Sequence, residues 1–355
     1  MSQALAPPRS ILAESRNTQS VEVLVRAQTW IRCLPILAVS LIIPLATSGE
    51  EPGAKTLRAG IIGLDTSHVT AFTEIINDPK AAGDLARVKI VAGFPGGSPD
   101  IPDSWNRVKE YTEQLRKKGI EIVPSIDDLL AKVDVVLLES VDGRPHLAQA
   151  RPVIAAGKPL YVDKPMAGSL ADVLEIFRLA KDARVPCFSA SSLRFSSGFQ
   201  AARRGKFGKV LECTAWSPLH LEKHHPDLFW YGVHGVETLF TIMGPGCKTV
   251  RRVSPTDVVG AWEGGRTGRF VGKDGYGAEV VGSEGKGPAG KYEGYKPLCV
   301  EICKFFKTGK PPVAAEETID IFAFMEAADE SKAAGGSPVS IADVIERAKQ
   351  GEKRK

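Results

Sequence analysis

The stretch Leu57–Phe72, LRAGIIGLDTSHVTAF, decides the fold. A short apolar run ends in a glycine turn and passes straight into a segment whose apolar residues, Val69, Phe72, Ile75 and Ile76, fall on one helical face. Strand, glycine turn and helix in direct succession begin a dinucleotide-binding βαβ unit. In such a turn the first glycine makes the bend and the second lets backbone N–H groups approach a pyrophosphate. The third lets the helix lie close to the strand. Gly63 fills the first position, but Asp65 and His68 stand at the second and third. Asp65 is also a strong helix N-cap residue, so the sequence predicts that its carboxylate accepts from the N–H groups two or three residues on. Those are the groups a phosphate would use, and a carboxylate there repels one by about 1 kcal/mol or more.

Outward from this stretch the pattern keeps alternating. RVKIVAGF (87–94) reads as a second strand, halted by Pro95, Gly96 and Gly97. A helix is expected from about Asp103, with Trp105, Val108, Tyr111 and Leu115 on its apolar face and Gly119 ending it. Ser125 and Asp128 make a capping box, and VDVVLLES (133–140) is the apolar strand of a buried parallel sheet. A helix around His146–Ala156 and the strand KPLYVD (158–163) follow. This alternation gives a doubly wound parallel sheet over residues 56–167. Ser169 and Asp172 cap a further helix, and VPCFSAS (185–191) is one more strand. Beyond residue 205 the chain becomes strand-like and glycine-rich, with turns at Gly264-Gly265 and Asp274-Gly275. Residues 168–335 therefore read as an α+β domain with an open, mainly antiparallel sheet, and 336–355 as a C-terminal helix and solvated basic tail.

The 355 residues suffice for two domains, and 43% hydrophobic with 25% charged residues excludes global disorder. A net charge of +4, much of it in the tails and without aromatic–basic interleaving, gives no reason to expect nucleic acid as a partner. Residues 1–48 read as a targeting segment. Arg26 and Arg32 precede an apolar run from Cys33 to Ala46, and Ala46 and Ser48 fit a signal-peptidase site. Pro35, Ser40 and Pro44 interrupt the run, which falls short of the ~20 residues of a spanning helix. A secretory signal is preferred over an uncleaved anchor, placing the mature chain in the periplasm or outside the cell; a start site downstream of Met1 would make it cytoplasmic. The cysteines show no CxxC pair and read as buried thiols.

The glycine turn, YVDKP (161–165) about a hundred residues later, and GVHGVE (232–237) in the second domain together resemble the glucose–fructose oxidoreductase, inositol dehydrogenase and rhizopine-catabolism (Gfo/Idh/MocA) family. The resemblance covers about residues 56–335. It implies an NAD- or NADP-dependent oxidoreductase acting on a sugar, polyol or other small hydroxy compound, with homo-oligomers formed through the second sheet. Gly63, Leu64, Asp65, Thr66, Ser67 and His68 then form the cofactor loop, with Ser140, Asp142 and His146 after the fourth strand. Lys164 occupies the lysine of the family's Glu-Lys-Pro motif, Asp163 replacing the glutamate, and the resemblance makes it a cofactor-contacting as well as a catalytic residue. Loss of hydride from a C–H bond requires the attached hydroxyl to lose its proton, and a lysine of lowered pKa can hold or relay it. His234 matches the family's second-domain acid/base histidine. Many members carry an aspartate four residues earlier, where this chain has Trp230. Arg194, His225, Tyr231 and His234 are the expected substrate residues. At the end of the second strand, where an acidic residue normally receives the ribose hydroxyls, stand Phe94 and Pro95.

Two further readings remain open. Asp65, Phe94, Trp230 and the leader suit an exported carbohydrate-binding or accessory protein that has kept the fold and lost its cofactor. The stretch 220–237, with His220, His224, His225, Asp227, His234 and Glu237, could supply metal ligands for a hydrolase or lyase. Pro226 breaks its helical spacing, and no metal site is assigned.

Overall fold

The computed structural model describes residues 55–351, so the expected leader and the last four residues of the tail lie outside them. The first half alternates as β1 (Leu57–Ile62), α1 (Ser67–Ile76), β2 (Val88–Phe94), α2 (Pro102–Lys117), β3 (Glu121–Ile122), α3 (Ile126–Leu130), β4 (Val135–Leu138), α4 (His146–Ala155), β5 (Leu160–Val162), α5 (Leu170–Asp182) and β6 (Cys187–Ser189). The strands form one six-stranded parallel sheet in the order β3-β2-β1-β4-β5-β6. Strand order reverses at β1 and β4, and ligands of such sheets bind at the carboxyl ends of the strands on either side of that point. β4 is buried along its whole length, as its unbroken apolar run required. Ser125 and Ser169 cap α3 and α5 by accepting from the N–H groups of Asp128 and Asp172.

Three details differ from the sequence reading. The parallel sheet does not stop at residue 167, because β6 hydrogen-bonds beside β5 and carries it to Ser189. The buried face of α2 is Ser104, Thr112 and Leu115, whereas Trp105 is 53% exposed. Two hydrogen bonds fix that rotation: the Ser104 hydroxyl donates to Asp65 Oδ2 (2.6 Å) and accepts from the Ser98 N–H (2.8 Å). The third difference concerns the start of α1. Its N-cap is Thr66, whose hydroxyl accepts from the His68 N–H, and not Asp65.

At the turn itself, Gly63 has φ +88°, and a Cβ there would lie 2.3 Å from Ser140 Oγ and 2.4 Å from the Ser140 nitrogen. The turn is thus pressed against the loop after β4. Gly63→Ala combines left-handed strain with a backbone clash and is expected to lower stability by ~2 kcal/mol or more, read from the urea midpoint.

After a 3-10 turn at Ser192–Phe195 come α6 (Ser197–Arg203), β7 (Val210–Ser217), α7 (Val233–Met243), β8 (Cys247–Ser254), β9 (Asp257–Trp262), β10 (Thr267–Gly272), β11 (Gly277–Gly282) and β12 (Gly285–Gly290). Then follow α8 (Lys296–Thr308), α9 (Ala315–Ala333), β13 (Val339–Ser340) and α10 (Ile341–Lys349). The second sheet runs β12-β11-β7-β10-β9-β8-β13. Its pairs are antiparallel except β7 with β10, which are parallel. One face packs under α7 and α9 through Leu239, Phe240, Phe322 and Phe324. α8 behaves differently: Leu298, Cys299, Ile302 and Phe305 share a core with Ile61, Val69, Phe72 and Tyr161. This late helix therefore covers the first sheet, which a linear division of the chain at 167/168 does not reveal. The five described cysteines are buried free thiols.

Candidate active site

The carboxyl end of β5 delivers Asp163 and Lys164 side by side into a buried layer. Asp163 Oδ2 lies 2.5 Å from His68 Nδ1, and Oδ1 accepts from the Tyr161 hydroxyl at 3.0 Å. Burial opposes ionisation of Asp163, but the charge and hydrogen bond of His68 outweigh it and hold the carboxyl down at about 2. Lys164 is 9% exposed and, among the described residues, forms no salt bridge. Desolvation lowers its pKa from the ordinary lysine value; the charge of Arg107 adds to this and Asp163 opposes it.

α7 brings His234 to the same place. Gly235 makes this possible, because a Cβ there would sit 2.4 Å from the Phe270 ring, so the helix lies directly on β10. His234 Nδ1 is 2.8 Å from Ser191 Oγ, which itself accepts from the Leu193 N–H at 3.3 Å. The Ser191 hydrogen is therefore available to Nδ1, and the imidazole proton belongs on Nε2. Burial, then the charges of Lys164 and His68, push the His234 pKa well below its ordinary value, so the ring is neutral at pH 7.

An arc of aromatic rings joins His234 to His68. Centroids are 4.8 Å apart from His220 to Tyr231, 5.4 Å from Tyr231 to His234 and 5.9 Å from His234 to Tyr276. The arc continues through Tyr292 (5.6 Å) and Tyr295 (6.0 Å) to His68 at 4.7 Å. Of these tyrosines, only Tyr231 was legible in the sequence as a site residue. Tyr276, Tyr292 and Tyr295 lie in glycine-rich turns and at the start of α8, where no local pattern marks them.

Other expected site residues have structural partners instead. His146 is fully buried, its ring nitrogens 2.8 Å from the Ser140 carbonyl and 3.1 Å from that of Met166, and burial lowers its pKa. It ties the loop after β4 to the one after β5. Ser140 donates to Gln149 (2.9 Å). Asp142 accepts from Ser98 (2.6 Å) and Arg144, and lies 3.1 Å from His225 Nε2. His225 is thus not part of the aromatic wall. Its other nitrogen faces Glu222 at 3.2 Å, and its ring lies against Trp230. Arg194 is also set apart, paired with Glu237 and with Glu317 (2.8 Å). Burial opposes the Arg194 charge, but these two carboxylates raise its pKa overall. Among the described residues no group of three or more His, Cys, Asp or Glu is arranged to hold a metal ion.

A buried carboxyl group also escaped the sequence reading. Glu139, just after β4, is fully buried and neither carboxyl oxygen has a hydrogen-bond partner among the described residues. Burial first, then Asp163 and Asp65, push its pKa well above the ordinary carboxylate range. The only signal was an acidic residue closing an otherwise apolar strand.

A dinucleotide can be tested against these residues. The Asp65 carboxylate points inward, accepting from Ser104 and from the Val141 N–H (2.9 Å), and burial raises its pKa. It therefore neither caps α1 nor presents a charge to a phosphate. The first turn of α1 carries no acidic residue and Ser67 is exposed, so the helix N-terminus can receive an anion. The Gly63 and Leu64 N–H groups, however, already donate to the carbonyls of Phe94 (2.9 Å) and Pro95 (2.6 Å). The fit holds at the phosphate and nicotinamide ends and lacks a carboxylate for the adenosine ribose. Accordingly, Asp65→Ala is expected to cost about 1–3 kcal/mol through the orphaned Ser104 and Val141 donors, and Thr66→Ala about 1 kcal/mol through the lost cap. Neither should tighten NADH binding, as fluorescence titration would show.

A six-stranded parallel sheet of this order, with Lys164 at the end of β5 and a second, mainly antiparallel sheet whose overlying helix α7 carries His234, defines a Rossmann-type fold with an added α+β layer. Residues 57–191 match the model of the oxidoreductase family GFO_IDH_MocA, NAD-binding Rossmann fold. The chain is 25% identical over 166 residues to the uncharacterized oxidoreductase YhhX of Escherichia coli (strain K12), covering 40% of this chain and 47% of that protein. The match thus spans about half the length of that relative. Three solved structures share the fold. An oxidoreductase from Thermotoga maritima aligns with TM-score 0.65 at 16% identity, over 82% of this chain and all of the other (100%). An oxidoreductase from Agrobacterium radiobacter, in complex with NAD+, L-tartaric acid and magnesium, gives 0.62 at 19% over 81% and 99%. The scyllo-inositol dehydrogenase of Lactobacillus casei, with bound NAD(H) and scyllo-inositol, gives 0.63 at 15% over 81% and 100%.

Proposed function

We propose that the protein is a nicotinamide-dependent dehydrogenase acting on a sugar, polyol or similar small hydroxy compound. The observation that carries this reading is a buried lysine that forms no salt bridge among the described residues, next to a neutral histidine, at the strand ends where such folds bind dinucleotides. A bound nicotinamide supplies the hydride acceptor. The N-terminus of α1 and the loops holding Ser140 and Lys164 are the parts of this chain that would hold it. Lys164 Nζ takes the hydroxyl proton in oxidation and returns it in reduction. His234 Nε2–H donates to the reacting oxygen, and the Ser191 bond fixes its orientation. The tyrosine arc suits a compound with a C–H face and several hydroxyls, because aromatic rings receive the face while their hydroxyls reach the rim.

A panel of sugars, cyclitols and hydroxy acids with NAD+ and NADP+, followed by nicotinamide absorbance, tests this. Turnover that falls ~100-fold or more in His234→Ala is expected, and no turnover with any pair would count against it. A second reading has its own support: the engaged Gly63 and Leu64 N–H groups and the missing ribose carboxylate suit a carbohydrate-binding protein without redox chemistry. Calorimetric sugar binding without any NADH binding would favour it. The exposed Leu211, Val253 and Val281 on strands of the second sheet suit self-association there.

A further inference from the structure

Asp163 and Lys164 are neighbours in the chain with opposite charges, yet they do not pair. Both carboxylate oxygens are engaged elsewhere, Oδ2 by His68 Nδ1 at 2.5 Å and Oδ1 by the Tyr161 hydroxyl at 3.0 Å. His68 is held in turn: its ring stacks on Phe72 (centroids 5.2 Å, planes 13° apart) and meets Tyr295 edge-on at 4.7 Å. It stands where a dinucleotide turn has its third glycine, so the side chain fills the space between α1 and the end of β5. A helix packed more closely there would leave no room for it.

We infer that His68 is a positioning residue: its ring N–H, together with the Tyr161 hydroxyl, turns the Asp163 carboxylate away from Lys164 and leaves the lysine unpaired to exchange a proton with a substrate hydroxyl. The physical reason is direct. A carboxylate within salt-bridge distance stabilises the ammonium form and raises a lysine pKa, whereas a buried lysine without one gives up its proton more readily. In this chain burial lowers the Lys164 pKa and the nearby Asp163 opposes it, so the direction in which Asp163 points sets the balance. The titratable groups around the pair are Asp163 and Tyr161 from β5, Glu139 after β4 and Arg107 from α2. His234 from α7 and Tyr295 before α8 complete the set. Burial pushes the Glu139 and Tyr295 pKa values up, toward their neutral forms, so Asp163 is the group among them whose negative charge acts on Lys164. The inference rests on the dehydrogenase reading only in giving Lys164 a proton to exchange; the geometry stands without it.

The test uses His68→Phe, which keeps an aromatic ring against Phe72 and removes the donor, and His68→Gln, which restores a donor. Nitrogen-15 NMR of lysine side chains, with Lys164 assigned by its loss in Lys164→Met, follows the titration in the protein alone. His68→Phe should move the Lys164 midpoint up by about one pH unit or more, with His68→Gln recovering at least half of the shift. The acid limb of the kcat/KM profile for alcohol oxidation should move in the same direction. If His68 only fills space, both variants lose thermal stability and the Lys164 midpoint stays put, which overturns the inference. A moved midpoint in a protein that binds no NADH would sink the dehydrogenase reading and leave the positioning role intact.

Discussion

Lys164→Met is expected to lower kcat/KM for alcohol oxidation by about 10²–10⁴-fold, to leave NADH affinity unchanged, and to raise thermal stability at neutral pH. These opposite signs come from one cause. The ammonium group is buried, has no salt-bridge partner among the described residues, and is destabilised relative to water. Its folded pKa lies below the ordinary 10.5, so at pH values beneath 10.5 the unfolded chain binds more protons at this position than the folded one. The penalty is fully present below the folded pKa and shrinks as pH rises through it toward 10.5. Methionine fills similar volume without a charge, so the gain in Tm should be largest at neutral pH and vanish in alkali. Retained activity, or a Tm that falls at pH 7, would contradict the role assigned to Lys164.

Asp163→Asn should have the largest effect on stability, about 3 kcal/mol, because it removes a buried ionised acceptor and leaves the His68 and Tyr161 donors opposite an amide. His68 Nδ1 and the Tyr161 hydroxyl would lose the carboxylate they share, and Lys164 would lose the anion that still favours its protonated form. The pH dependence carries the signature. Asp163 is held at about 2 in the folded chain against 3.8 ordinarily, so its contribution is complete above pH 3.8 and disappears as pH falls to 2. Urea midpoints of wild type and variant should therefore differ most near neutrality and draw together in acid. A constant gap down to pH 2 would place the stabilisation elsewhere.

Much of the fold was legible because its signals are local. The glycine turn at Gly63, the capping serines 125 and 169 and the unbroken apolar β4 each dictate their element within a few residues. The returning helix α8 was not legible, since its partners, from Ile61 to Phe188, all lie more than about a hundred residues earlier. Lys164 and His234 were found through motif resemblance, and the structure brings them close enough for the charge of one to act on the other. Asp65 shows the limit of local argument. Its propensity as a cap was real, but hydrogen bonds to Ser104 and Val141, 39 and 76 residues away, bind it more strongly than the helix end. His68 was read as a cofactor-loop residue at the third glycine position, and only the distance to Asp163 reveals its partner.

The central claim is that this Rossmann domain still binds a nicotinamide dinucleotide although two of its turn's N–H groups are engaged internally. Titration of the purified protein with NADH and NADPH, followed by fluorescence and calorimetry, addresses it directly. Saturable binding of one of the two at or below about 1 mM, near −4 kcal/mol, together with loss of activity but not of binding in Lys164→Met, is the expected result. No quenching and no heat from either cofactor at millimolar concentration, in a protein that is folded by circular dichroism, would contradict it.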